Sequence, residues 1–239
     1  MEWFSTWFDT SYYHQLYNNR DFSEAEKFMT TLLNHLNLNK GESILDLACG
    51  KGRHSIFLNK KGYEVTGVDL SAQSIEYAKK FENENLHFDV HDMRDNLNTK
   101  FDNVFNLFTS FGYFDNDDDD IAVLETIKNA MKPNSVAVID FMNAEKVIKN
   151  LVNTEIQKRD NLDFEIERFV KNGIIHKNIK FQDDGIHYDF TEKVKAIKLD
   201  DFNRYFDKVG LVLESTFGNY NLDEFDVKNS DRLIMILTK

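Results

Sequence analysis

The sequence predicts a doubly wound α/β fold, and three observations predict it. From Ser43 onward, short apolar runs alternate with helical stretches, as a parallel sheet with crossover helices reads. The first run ends in a glycine turn, "DLACGKG". At 239 residues, 41% of them apolar and 21 of them Phe, the chain is long enough for one α/β domain with an elaboration and apolar enough to bury its core.

The elements follow in order. "DFSEAEKFMTTLLNHL" repeats Phe22, Ala25, Phe28, Met29, Leu32, Leu33 and Leu36 at helical spacing, giving a helix with one apolar face to lay on the sheet. Strands are expected at Ile44 to Ala48, Glu64 to Val68, Leu86 to Val90, Asn103 to Phe108 and Val136 to Phe141. The helices between them run near Gly52 to Asn59, Ala72 to Glu82 and Asp118 to Met131, the last stopped by Pro133. Beyond the fifth strand the apolar period changes to two, through Phe164, Ile166 and Val170, then Ile175, Ile179 and Phe181, then Tyr188, Phe190, Val194 and Ala196. These are antiparallel strands joined by turns at "KNG" and "DDG". A helix over "LDDFNRYFDKV" ends at Gly210, and strands at Leu211 to Phe217 and Leu233 to Thr238 close the chain.

Charge and composition exclude several classes. Lys and Arg number 29 against 41 Asp and Glu, a net charge of -12, with no basic stripe to neutralise a nucleic-acid backbone. The apolar runs, such as "LIMIL", are strand-sized, well short of the roughly 18 residues of a membrane span. "MEWFSTWFDTSYYHQLY" lacks the basic start and apolar run of a signal peptide. The single Cys, Cys49, rules out an internal disulfide framework. A protein of the cytoplasm, without nucleic-acid or membrane partners, monomeric or homodimeric, is the expectation.

The ligand is read from the strand ends, because an open α/β sheet binds beyond the carboxyl ends of its strands. A glycine loop after a strand ordinarily invites phosphate. Here Asp46 stands four positions before Gly50, where a carboxylate repels a pyrophosphate and attracts an ammonium. Asp69, after the second strand, is spaced to grip a ribose diol, which leaves a dinucleotide reading open although the loop lacks the third glycine of that pattern. Asp92 ends the third strand, where an adenine amino group could be met. His54 and His91 lie near the loop and the third strand end. "DNDDDD" at 115 to 120 is explained by the dipole of the helix it starts, so no metal is expected.

"ILDLACGKGRHS", "VTGVDLS", "FDVHDMRD", "FDNVFNLFTSFGYF" and "MKPNSVAVIDF" occur in the order and at the spacing of the class I S-adenosylmethionine-dependent methyltransferases, which the stretch from Leu38 to Phe141 resembles. The resemblance implies a seven-stranded Rossmann-like sheet ending in an antiparallel hairpin. S-adenosyl-L-methionine is the implied cofactor and a small molecule the implied methyl acceptor. On this likeness Asp46, Ala48, Gly50 and Gly52 hold the methionine moiety and Asp69 the ribose, with Leu70 beside the adenine and Asp92 and Met93 flanking it. Asn106 and Leu107 face the sulfonium. "YYHQLYNNRDFSEA" resembles the lid of small-molecule N-methyltransferases, which carries over Tyr13 and Arg20 as residues closing over the donor. Tyr13 and Tyr113 are the catalytic candidates. A nucleotide-cofactor oxidoreductase and a donor-binding protein without turnover remain the alternatives.

The chain thus divides into a helical lid (1–40), a donor-binding core (41–153 and 198–239) and an antiparallel insertion (154–197) expected to roof the substrate. Arg168 and Glu192 fall in phase with the apolar residues of that insertion. Inward charges are costly unless paired or functional, which leaves two readings: both sit near sheet edges and reach water, or they pair with each other and meet the acceptor.

Overall fold

In a computed structural model describing residues 2–17 and 22–239, the chain opens with two short helices, α1 (Trp3–Trp7) and α2 (Ser11–Leu16), and the amphipathic α3 (Phe22–Leu36). The first half of the sheet follows as β1 (Ser43–Leu47), α4 (Arg53–Lys60), β2 (Glu64–Asp69), α5 (Ala72–Ala78) and β3 (Leu86–Val90). Next come β4 (Phe101–Asn106), α6 (Asp117–Ala130), β5 (Met131–Met142) and a short α7 (Ala144–Lys149). The insertion is β6 (Thr154–Arg159), β7 (Leu162–Lys171), β8 (Ile174–Asp183) and β9 (Ile186–Lys195). Helix α8 (Leu199–Val209) and strands β10 (Val212–Phe217) and β11 (Arg232–Thr238) complete the chain.

Seven strands form one sheet in the order β10-β11-β5-β4-β1-β2-β3, parallel except for β11, which runs antiparallel to both β5 and β10. Strands β6 to β9 form a separate four-stranded antiparallel meander. Its two later turns show why the sequence reads there: Asn172-Gly173 and Asp184-Gly185 both have positive φ at both positions, as a two-residue hairpin turn requires. Helix α3 buries Ala25, Phe28, Met29, Leu32 and Leu33 as its periodicity predicts.

Some boundaries differ from the sequence reading. The helix expected to reach Glu82 ends at Ala78 and tightens into a 3-10 turn over Lys79–Phe81. Strand β5 starts at Met131, ahead of Pro133, because the chain pairs Phe101 with Met131 and then shifts register before resuming at Asn103 and Val136. The proline sits in that irregular stretch, where its missing N–H breaks no ladder bond.

The N-terminal helices lie between the two sheets. Trp7 and Leu16 are buried with Leu162, Phe164, Ile166, Ile179 and Phe181 of the insertion, while Phe4 joins the core of the main sheet. Lys195 ties the insertion to the main sheet by ion pairs at 2.8 Å to Asp117 and Asp120 of α6.

Arg168 and Glu192 do not pair, which corrects the expectation from phase alone. Lys177 is register partner to both, so two strand spacings, roughly 10 Å, separate them. Arg168 instead pairs with Glu155. Glu192 accepts hydrogen bonds at 2.7 Å from the Trp7 indole and the Tyr17 hydroxyl, and Lys177 donates to the same hydroxyl at 2.6 Å. Glu192 is therefore the clamp between insertion and N-terminal helices. Glu192→Ala removes the acceptor of the buried Trp7 indole and of the half-buried Tyr17 hydroxyl; it should cost roughly 2 kcal/mol in urea unfolding and speed protease cleavage within residues 2–17.

Candidate active site

Strand order reverses at β1, which has β4 on one side and β2 on the other. The loops leaving these parallel strands diverge and open a crevice. It is a cavity of about 340 Å³. Its floor comes from the loops after β1 to β4, and α1 and α2 cover it with Phe4, Phe8, Tyr13, His14 and Tyr17. No residue of the insertion lines it, so that sheet reaches the cavity indirectly, through the N-terminal helices and through the Lys195 N–H, which donates to the Gly112 carbonyl at 2.8 Å.

The two glycines of the first loop have different tasks. Gly50 has φ 56, and a Cβ built on it meets nothing within 4 Å, so bare backbone faces the cavity. Gly52, also left-handed, would place a Cβ 2.6 Å from the Phe88 ring. It packs α4 against β3, and the cavity wall at this loop is formed by its neighbours Gly50, Lys51 and Arg53.

Two carboxylates lie at the loop, Asp46 buried and Asp69 half-buried. Asp46 is 2% exposed and accepts a hydrogen bond from Ser55 Oγ at 2.5 Å. Burial lifts its carboxyl to about 6, the Ser55 bond opposes this, and the charge of Asp69 adds to it. Asp69 accepts from the N–H of Gly50 and of Ser71, each at 2.8 Å. Burial raises its pKa too, against those backbone bonds. Two such acids, strained by desolvation and by a neighbouring carboxylate, Asp69 beside Asp46 and Asp9 beside Asp69, are relieved by a cation.

The other expected residues divide into those at the cavity and those beside it. Ala48 (φ 64), Leu70, Asp92, Met93 and Leu107 line it. Burial raises Asp92, but the hydrogen bonds and charge of Arg94, the closest at 2.6 Å, outweigh it and leave the carboxyl below its usual range. Asn106 is fully buried, and its amide donates to the Leu47 carbonyl at 3.1 Å behind the lining residue Leu107. Tyr13 and Tyr113 both line the cavity, and the Tyr113 hydroxyl donates to the Thr109 carbonyl at 2.5 Å. His54 stacks on Phe108 with centroids 4.5 Å apart and accepts from Arg53 at 3.0 Å. His91 lines the cavity, its ring 2.8 Å from the Asp95 carbonyl. Arg20 lies outside the described residues.

Sequence reasoning missed His14, Lys51, Arg53 and Phe108, all of which line the cavity. Lys51 and Arg53 flank Gly52 within the recognised loop, so proximity was the available signal. His14 was visible only as one polar residue in a helix; burial and the charge of Lys51 lower its pKa to about 4, leaving it neutral. Among the described residues no cluster of three His, Cys, Asp or Glu is arranged to hold a metal, and no helix is long and apolar enough to cross a membrane.

Sheet order, glycine cradle and paired acids define a class: nucleotide-type ligands with a cationic end. The signature described as "Methyltransferase domain" matches residues 38–200. The chain belongs to the class I S-adenosylmethionine-dependent methyltransferases, whose cofactor is S-adenosylmethionine. The open space at Gly50 and the two destabilised carboxylates fit that cofactor, which brings an ammonium and a sulfonium. Glycine/sarcosine N-methyltransferase of Aphanothece halophytica is 26% identical over 212 residues, 84% of this chain and 76% of that one. YqeM of Bacillus subtilis (strain 168) is 31% identical over 141 residues, and the match spans little more than half of each chain, 57% and 55%. An S-adenosylmethionine-dependent methyltransferase from Clostridium acetobutylicum ATCC 824 shares the fold at TM-score 0.80 over 95% of both chains, with 22% identity.

The paired acids set a pH dependence. The folded Asp46 carboxyl titrates near 6, above its unfolded value of 3.8, so its contribution to stability is complete below about pH 4 and lost as pH rises through 6. Asp46→Asn removes this titration. Between pH 4 and 7 the unliganded parent should lose up to about 3 kcal/mol relative to the variant, read from urea unfolding at both pH values.

Proposed function

We propose that this protein transfers the methyl group of S-adenosylmethionine to a small-molecule acceptor. The observation that carries this reading is the covered cavity: α1 and α2 lie over the strand ends, and Tyr13, Tyr17, Phe108 and Tyr113 give its walls an aromatic part. A pocket of that size and lining is matched to a small ligand held under cover. Two relatives support a nitrogen acceptor: glycine/sarcosine N-methyltransferase, and an N,N-dimethyltransferase of a dTDP-linked amino sugar from Streptomyces venezuelae, 29% identical over 124 residues and matched over 52% of its length.

In this reading Asp46 and the bare backbone at Gly50 hold the amino-acid end of the donor. Asp69 takes the ribose, while Leu70, Asp92 and Met93 flank the adenine. The donor supplies an already activated methyl group at its sulfonium. The protein's remaining work is orientation, which brings the acceptor's lone pair into line behind the methyl carbon. Leu107 and Tyr13 bound that approach. Tyr113 has its one proton committed to the Thr109 carbonyl, so its oxygen serves as an acceptor for an N–H of the incoming amine. The N-terminal helices α1 and α2 act as the lid, and residues 154–197 act as its buttress.

Two measurements test this. Asp69→Ala should weaken S-adenosylhomocysteine binding by about 1.5 to 3 kcal/mol in calorimetry, since a charge-assisted acceptor and the loop it braces are lost together; unchanged affinity removes Asp69 from the site. Incubation with methyl-labelled donor and a small-molecule cell extract should place label in an amine-bearing fraction. A protein that binds the donor yet labels nothing in such extracts is not a small-molecule methyltransferase.

A further inference from the structure

Immediately after β4, two consecutive non-glycine residues occupy the left-handed region: Phe108 at φ 59 and Thr109 at φ 62. For an aromatic and a β-branched residue this is unfavourable, and such backbone persists only where its surroundings over-determine it. They do so here. The Phe108 N–H donates to Asp140 Oδ2 at 2.9 Å, and the Thr109 N–H donates to the Asp140 carbonyl at 2.9 Å. Arg232 donates to Thr109 Oγ1 at 3.0 Å, and the Tyr113 hydroxyl holds the Thr109 carbonyl.

Asp140 and Arg232 are the root of this network. Asp140 is fully buried on β5, and Arg232, first residue of β11, pairs with it through Nε at 2.8 Å and Nη2 at 2.7 Å. The Arg232 guanidinium also lies 5.5 Å from the Tyr220 ring centroid. Buried ion pairs of this kind often add little stability over apolar residues of equal volume, so stability alone does not account for it. Geometry does. Along a regular strand, successive side chains point to opposite faces. The turn breaks that alternation, so Leu107 and Phe108, adjacent in sequence, both line the cavity. The Phe108 ring lies parallel to His54 within 5° and has the Arg53 guanidinium 5.3 Å from its centroid. Neither Asp140 nor Arg232 reaches the cavity itself.

We propose that Asp140 and Arg232 are positioning residues that hold the strained Phe108–Thr109 turn, and that the Phe108 ring so presented is the wall against which the methyl acceptor is aligned. The proposal rests on the methyltransferase reading above. It is tested without disturbing the ion pair. Thr109→Val keeps the shape and the β-branch and removes only the oxygen that accepts from Arg232; Thr109→Ser keeps the oxygen. Phe108→Leu leaves the backbone network and removes the flat ring. The probe is label transfer from methyl-labelled donor to the small-molecule extract, with calorimetry of S-adenosylhomocysteine alongside. Thr109→Val and Phe108→Leu should each lower the rate at saturating donor about tenfold, while donor KM and S-adenosylhomocysteine affinity stay within twofold. Thr109→Ser should recover most of the rate. The proposal is overturned if Phe108→Leu or Thr109→Val transfers at the parental rate, or if Thr109→Ser loses as much as Thr109→Val. A parent that binds donor and labels nothing overturns the small-molecule reading and this one with it, whereas parental rates in the variants overturn this one alone.

Discussion

One carboxylate holds two strand-end loops in place, and the cavity is hung on them. Asp69 accepts the Gly50 N–H from the loop after β1 and the Ser71 N–H from the start of α5, so the glycine cradle and the wall after β2 share a single anchor. That anchor is itself destabilised by burial and by the charge of Asp9, and its own charge raises the neighbouring Asp46. The site therefore stores unfavourable electrostatics that a cationic ligand relieves. Preorganisation of this kind trades stability of the empty protein for binding, and it places the tension where the ligand arrives.

The same division of labour extends outward. The insertion sheet is remote from the ligand, yet it supplies the hydrophobic bed on which Trp7 and Leu16 rest and the carboxylate, Glu192, that fixes Trp7 and Tyr17. Asp9, at the end of α1, accepts from Ser71 Oγ at 2.7 Å and thereby joins the helices to the wall that Asp69 braces. A chain of packing and hydrogen bonds thus runs from the four-stranded sheet through the N-terminal helices to the floor of the cavity. Opposite this cover, the Asp140–Arg232 pair fixes the turn after β4. Cover and wall are built from segments far apart in the chain.

Local pattern, when strong, was legible. Period-two runs and turn dipeptides placed the insertion, because Asn-Gly and Asp-Gly are the residues that tolerate the left-handed backbone a tight hairpin needs. Apolar periodicity placed α3. Asp46, Gly50, Asp69, Asp92 and Met93 were legible as cavity residues because strand-end position is fixed by the strand itself. Phase also found Arg168 and Glu192 as inward charges, but phase says only which face a side chain takes. It says nothing of which strand lies between two of them, and Lys177 lies there.

By itself, then, the sequence determined the doubly wound sheet, its glycine loop, the acids at the strand ends and the existence of an antiparallel insertion, all set by local periodicity and turn chemistry. Only the tertiary structure decided which loop residues face the cavity. Gly52 is turned to Phe88 by helix packing, and the Asn106 amide is held on the Leu47 carbonyl of the neighbouring strand. It also decided that the insertion packs on Trp7 and Leu16 of the N-terminal helices, and that Arg232 reaches back 92 residues to Asp140. The physical reason is that periodicity is a property of neighbouring residues, whereas charge pairing, burial and left-handed backbone are settled by whatever segment the fold brings alongside.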